Sequence, residues 1–143
     1  MTGIISCIIA GAAMSVQGVM NTRLSEKIGL WESNAFVQGT AFAASLIIAL
    51  IFGRGGAGTL RDTNRLYLLG GLVGVVITVT VMLGMGKTSP AVAVSVILIA
   101  QLFTAALIDA FGIMGTEKTP FLWNKYIGLA LMTGGVLLFK LKP

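Results

Sequence analysis

The chain has 143 residues, of which 56% are hydrophobic and only 10% charged, and its mean hydropathy is +0.95. A soluble domain carries about 25% charged residues, so there is too little polar surface here to cover a water-soluble globule, and the solvent is lipid. The net charge of +5 does not point to nucleic acid, because the Lys and Arg residues stand singly between apolar runs and form no patch.

A bilayer core takes about 20 apolar residues of helix. Five such spans follow along the chain, at about 3–20, 33–52, 66–85, 90–111 and 121–139, which predicts an all-α integral membrane protein with five transmembrane helices in a single domain over 1–143. The first span lacks the preceding Lys or Arg and the following small-residue site of a cleavable signal. The second opens beside Trp31 and Glu32, with Glu32 expected to cap it from the interface. The link at 53–65, GRGGAGTLRDTNR, is glycine-rich and charged and is expected to be a mobile surface loop.

The third span ends in GMGKTSP, residues 84–90. Gly86-Lys87-Thr88 resembles the tail of a phosphate-binding loop, but that loop needs a glycine where this chain has Val81, and it needs a strand where this chain has an apolar run. The stretch is instead a tight connection between helices. Gly84 and Gly86 are expected to loosen the end of the third helix, Ser89 to be an N-cap and Pro90 the first helical residue of the fourth. In the fifth span, Trp123 and Tyr126 are placed as interfacial aromatics.

Five spans put the termini on opposite sides. Arg54, Arg61, Arg65, Lys118 and Lys125 fall on one side, and Arg23, Lys27, Lys87, Lys140 and Lys142 on the other. Lys/Arg bias sets orientation, and here the sides are equal. Either the first helix or a partner orients the chain, or the chain inserts both ways and two copies build an inverted pair.

Polar side chains within apolar helices must pair or face water. Gln17 and Asn21 lie four apart on the first helix, on one face with Met14 and Ala10. Asn34 and Gln38 repeat the spacing on the second, and Gln101 lies near the middle of the fourth. Each is either interhelical glue or a substrate contact. Asp109, two turns beyond Gln101, reads as an ion pair or helix-end anchor with Lys125 or Lys118. Gly70, Gly74 and Thr78 form a small-residue stripe on the third helix. Gly128 and Gly135 lie seven apart on the fifth, as do Gly11 and Gly18 on the first, and all read as packing seams. The methionines read as lipid-facing residues or core fillers.

The chain has no histidine and a single cysteine, Cys7, so it holds no Cys/His metal cluster and no internal disulfide. No pairing of titratable groups suits general acid–base chemistry. Neither an enzyme nor a cofactor or metal is expected.

Several motifs in order, Gln17-Gly18-x-x-Asn21-x-x-Leu24, Gly70-Gly71-x-x-Gly74, Gln101 followed by Asp109-x-Phe111-Gly112, and Lys125-x-x-Gly128, resemble the five-helix YdcZ-type branch of the drug/metabolite transporter superfamily. The resemblance spans nearly the whole chain, with Ala100 and Lys125 standing where glycine and arginine are expected. It implies a multi-pass protein of the bacterial inner membrane that pairs antiparallel into ten helices, with itself or with a paired homologous chain. The related four-helix multidrug transporters carry a glutamate in the first helix. This chain has Gln17 there and no acid in the span, which speaks against proton coupling by that route.

The combined expectation is a small-solute transporter working by alternating access as an antiparallel dual-topology homodimer. Its solute would bind Gln17, Asn21, Asn34, Gln38 and Gln101 through amides rather than a charge. A dual-topology small-ion channel and a non-transporting accessory membrane protein are the rivals.

Overall fold

The computed structural model describes residues 1–56, 58, 63–120 and 122–140. Among these the regular structure is entirely helical: α1 (Thr2–Ile28), α2 (Leu30–Phe52), α3 (Gly70–Lys87), α4 (Pro90–Phe111) and α5 (Trp123–Lys140), with short 3-10 turns at Arg65–Leu69 and Ile113–Gly115. Four segments, Thr2–Ile28, Leu30–Phe52, Arg65–Lys87 and Pro90–Phe111, are long and apolar enough to cross a membrane. The fifth helix, α5, is not among them: it has 18 residues, and Asn124, Lys125 and Lys140 all fall within that length. Part of the expected 53–65 loop (57 and 59–62) and the expected first residue of the fifth span, Phe121, lie outside the described residues.

The chain divides into two compact units, Met1–Lys87 and Thr88–Pro143. In the first, α1, α2 and α3 each pack against the other two. α1 runs eight residues past the expected end at Met20. Its apolar stretch stops there but nothing breaks the backbone ladder: Thr22 donates to the Gly18 carbonyl at 2.7 Å, and Arg23 pairs with Glu26 at 3.0 Å along the helix. The break comes at Gly29, whose φ of +101° favours glycine. Its N–H donates to the Ser25 carbonyl at 3.0 Å, and a Cβ would collide with the Glu32 carboxylate.

Gly29 is also the N-cap of α2, which begins at Leu30, three residues ahead of the expected start. No side chain caps this helix. Glu32 is therefore not the cap; it sits in the first turn, where its charge favours the helix dipole. The third span starts as a 3-10 turn, with the Asn64 side chain accepting from the Leu66 N–H at 3.0 Å, and becomes α-helical at Gly70. Its other end does not loosen. Gly84 and Gly86 lie within α3, which continues to Lys87, because an interior glycine costs a helix only about 1 kcal/mol.

Close packing in this unit is confined to one zone. Gly18, Asn21 and Thr22 of α1, Ser33 and Asn34 of α2, and Met82 and Met85 of α3 are buried there. A Cβ on Gly18 would lie 2.6 Å from Met85 Cε and 3.2 Å from Val81 Cγ1, so glycine is what lets α3 approach α1. Of the methionines, Met82 and Met85 are core and Met14, Met20 and Met114 are exposed.

In the second unit α4 packs against α5. The α4 start is as expected: Pro90 leads, and the Ser89 hydroxyl accepts from the Val92 N–H at 3.4 Å. Gly112 ends the helix in the left-handed conformation, φ +65°. Trp123 and Tyr126 are exposed at the start of α5.

Outside these contacts the surface is apolar. Ile4, Ile8, Phe42, Leu50, Leu72 and Leu131 are each more than 60% exposed. Such a surface suits a hydrocarbon solvent, where every backbone polar group is satisfied within a helix.

Candidate functional site

The i, i+4 spacing of Gln17 and Asn21 brings both amides to one side of α1, where that helix faces α2 across a groove of about 740 Å³. Val19, Met20 and Leu24 of α1 and Phe36, Val37 and Ala41 of α2 form its apolar walls. Its polar groups are Gln17, Asn21 and Thr40, and the charged residues Arg23 and Lys27 line it as well. A second concavity of about 640 Å³ runs along α1 from Ile8 to Asn21 and shares Gln17, Met20 and Asn21 with the first. Gln17 is exposed while Asn21 is 8% exposed, so one amide stands free and the other belongs partly to the core.

Behind Asn21 lies a polar cluster. The fully buried Ser33 hydroxyl reaches the Asn21 carbonyl at 3.3 Å and the Met82 sulfur at 3.6 Å, so its one proton serves either. Asn34, next in sequence, is 7% exposed, and its Oδ1 is buried and accepts no hydrogen bond among the described residues. A buried acceptor left in that state costs about 1–3 kcal/mol.

Gln38 is one helical turn beyond Asn34 but makes a different contact. Its Nε2 donates to Thr78 Oγ1 of α3 at 3.3 Å, and the Thr78 hydroxyl donates to the Gly74 carbonyl at 2.9 Å. Gly74 faces the same amide, with Gln38 Nε2 3.7 Å from where a Cβ would stand. Gly70, the third residue of the stripe, has open space around it.

In the second unit, Gln101 is exposed on α4, twelfth of its 22 residues, and makes no hydrogen bond among the described residues. Asp109 and Lys125 line one groove of about 250 Å³ between α4 and α5, with Leu102, Ala105, Ala106, Gly128, Leu129 and Met132. No atom lies within 4 Å of a Cβ at Gly128 or Gly135.

The structure thus brings Gln17 and Asn21 together with Thr40, Arg23 and Lys27, and Asp109 together with Lys125. It puts Gln38 on the α2–α3 seam. Sequence reasoning missed Thr40, Arg23 and Lys27 as groove residues, and Thr22 and Ser33 as core. The signal for Thr22 was present, four residues after Gly18, where a threonine can bond back along its helix. Thr40 carried none, since which α2 residue faces Gln17 depends on how the helices cross.

A family model described as "Putative inner membrane exporter, YdcZ" matches residues 2–138. No curated protein and no solved structure matches the chain. With a match across nearly its entire length, and with apolar helices that suit several passes through the inner membrane, the chain belongs to the YdcZ family.

Proposed function

We propose that this protein exports a small solute across the inner membrane as an antiparallel, dual-topology dimer working by alternating access. α5 is the fifth span, and the α1–α2 groove is the solute site. The observation that carries the reading is that Gln17 and Asn21 share a 740 Å³ groove between two apolar helices. Polar groups at that depth are expensive unless they pair or face water, and a solute path provides both. Asn34 and Gln38 do not line this groove; as solute contacts they would need α2 to shift in the transport cycle, which would expose the Asn34 acceptor and release the Gln38 donor from Thr78. Gln101, near mid-span of α4, is a separate amide contact for the solute: in an inverted pair the two-fold axis lies in the membrane plane, so mid-depth residues can meet their own copies.

The equal division of basic residues between the sides supports insertion both ways. The exposed apolar surface leaves room for a partner as well as lipid. Asp109 and Lys125 anchor the ends of α4 and α5, and Gly70, Gly74, Thr78, Gly128 and Gly135 are packing seams within or between copies.

The test is flux in proteoliposomes with a topology reporter on the C-terminus. Reporter signal on both sides and saturable counterflow of a labelled solute are expected. Signal on one side only would sink the dual topology. A steady single-channel current would replace the transporter with a channel, and absence of flux and current would leave an accessory membrane protein.

A further inference from the structure

The same groove carries information about the charge of its occupant. Lys27, at the end of α1, and Gln17 are ten residues apart, about 15 Å at 1.5 Å per residue, or half of the roughly 30 Å hydrocarbon core. The groove runs from Arg23 and Lys27, which lie beyond the apolar stretch that ends at Met20, to Gln17, three residues or about 5 Å inside that stretch. Among the described residues no carboxylate lines it. Glu26 pairs with Arg23 at 3.0 Å and neutralises one of the two cations, which leaves Lys27 as net positive charge at the mouth. Beyond the mouth come Asn21, Thr40 and Gln17, all hydrogen-bonding and uncharged.

We propose that the solute is a small organic anion, held by its carboxylate or phosphate at Lys27 and by hydroxyl or amide groups along its body at Asn21, Thr40 and Gln17. This rests on the reading of the groove as the solute site. An anionic lipid would also place a phosphate at Lys27, but its acyl chain would then lie against the Gln17 and Asn21 amides and leave them without partners, at a cost in hydrocarbon, while the Thr40 hydroxyl already donates to the Val37 carbonyl at 2.9 Å. A cation would meet Lys27 at the entrance and find no carboxylate beyond it. A hydroxylated anion satisfies both ends of the groove.

The experiment uses the whole protein in phosphatidylcholine nanodiscs and three matched pairs of anion and neutral alcohol: glycerate and glycerol, gluconate and glucitol, pantothenate and panthenol. Glucosamine is the cationic control. Saturable binding of at least one anion is expected, tighter by about tenfold than its neutral partner, the difference one charge-assisted hydrogen bond makes. Lys27→Gln should remove that preference, Lys27→Arg should keep it, and Gln17→Leu should abolish binding of the anion and its neutral partner alike. Equal binding of anion and neutral partner, tightest binding of glucosamine, or no saturable binding by any of the three anions overturns the proposal. So does binding of phosphatidylglycerol alone, which would make the groove a lipid site. Flux in proteoliposomes separates the two readings. Anion binding without flux defeats transport and leaves the anion site; flux of glucitol or glucosamine without any anion defeats the anion site and leaves transport.

Discussion

The α1–α2 groove and the α4–α5 groove differ in what fills the space between their helices. In the first unit the small residue is used up: Gly18 receives the Met85 side chain, and the open volume lies elsewhere, between Gln17 and Thr40. In the second the small residues themselves make the space, with Ala105, Ala106 and Gly128 walling a groove a third as large. The polar groups differ too. Amides line the first, and they can exchange hydrogen bonds with a solute without the desolvation cost that a charge carries at depth. One acid and one base line the second, near the helix ends. A glycine on an apolar helix thus has two uses that spacing alone does not distinguish, seating a neighbour or leaving a void.

Substitution separates these uses. Gly18→Leu should be the most damaging change, lowering stability by about 3 kcal/mol, since even a Cβ would overlap Met85 and overpacking costs about 1–3 kcal/mol or more. Gly128→Leu, with open space at its Cβ, should cost less than about 1 kcal/mol, because the helix gains propensity as the groove fills. Thermal melting in detergent reads both, and equal shifts would break the comparison between the units.

Next in size is the α2–α3 contact. Thr78→Val deprives the Gln38 amide of its acceptor and should cost about 1 kcal/mol. Thr133→Val in α5 is the control: its hydroxyl bonds only to the Leu129 carbonyl of its own helix at 2.9 Å, and its loss should be close to neutral. If both cost the same, Gln38 is not holding α2 to α3.

The smallest effect on stability should come from Gln17→Leu. The side chain is exposed and unbonded, so melting should move by less than about 0.5 kcal/mol. The same variant should lose solute binding and flux altogether. A destabilised protein that still binds would make Gln17 interhelical glue.

Much of the architecture was legible in the sequence because a bilayer imposes one length and one composition on every span. The α4 boundaries could be read in full, since Ser89, Pro90 and Gly112 signal their positions through local chemistry. α1 could not, because hydropathy ends where Gln17, Asn21 and Arg23 begin, whereas a helix ends only where its hydrogen-bond ladder is interrupted, here at Gly29. The fifth helix shows the reverse case: its apolar run was read as a span and the helix is there, but with Asn124, Lys125 and Lys140 in its 18 residues it is not among the four segments apolar enough to cross. The facing of Gln17 and Asn21 followed from 3.6-residue geometry alone. Their company did not, because Thr40 comes from another helix and Arg23 and Lys27 were read as topology signals with no part in a groove.

Gly29 has a bearing on how the chain enters the membrane. One residue separates α1 from α2, and one residue reaches at most about 3.6 Å. There is no slack for the first helix to settle in one direction while the second awaits its own decision, and no tether from which α2 could be released to turn over alone. Whatever fixes the heading of α1 during synthesis fixes α2 with it, so the two are threaded as one pin. The proposed population with two headings would then arise from a single early choice per molecule, and lengthening this joint by a dozen flexible residues would turn that one choice into two.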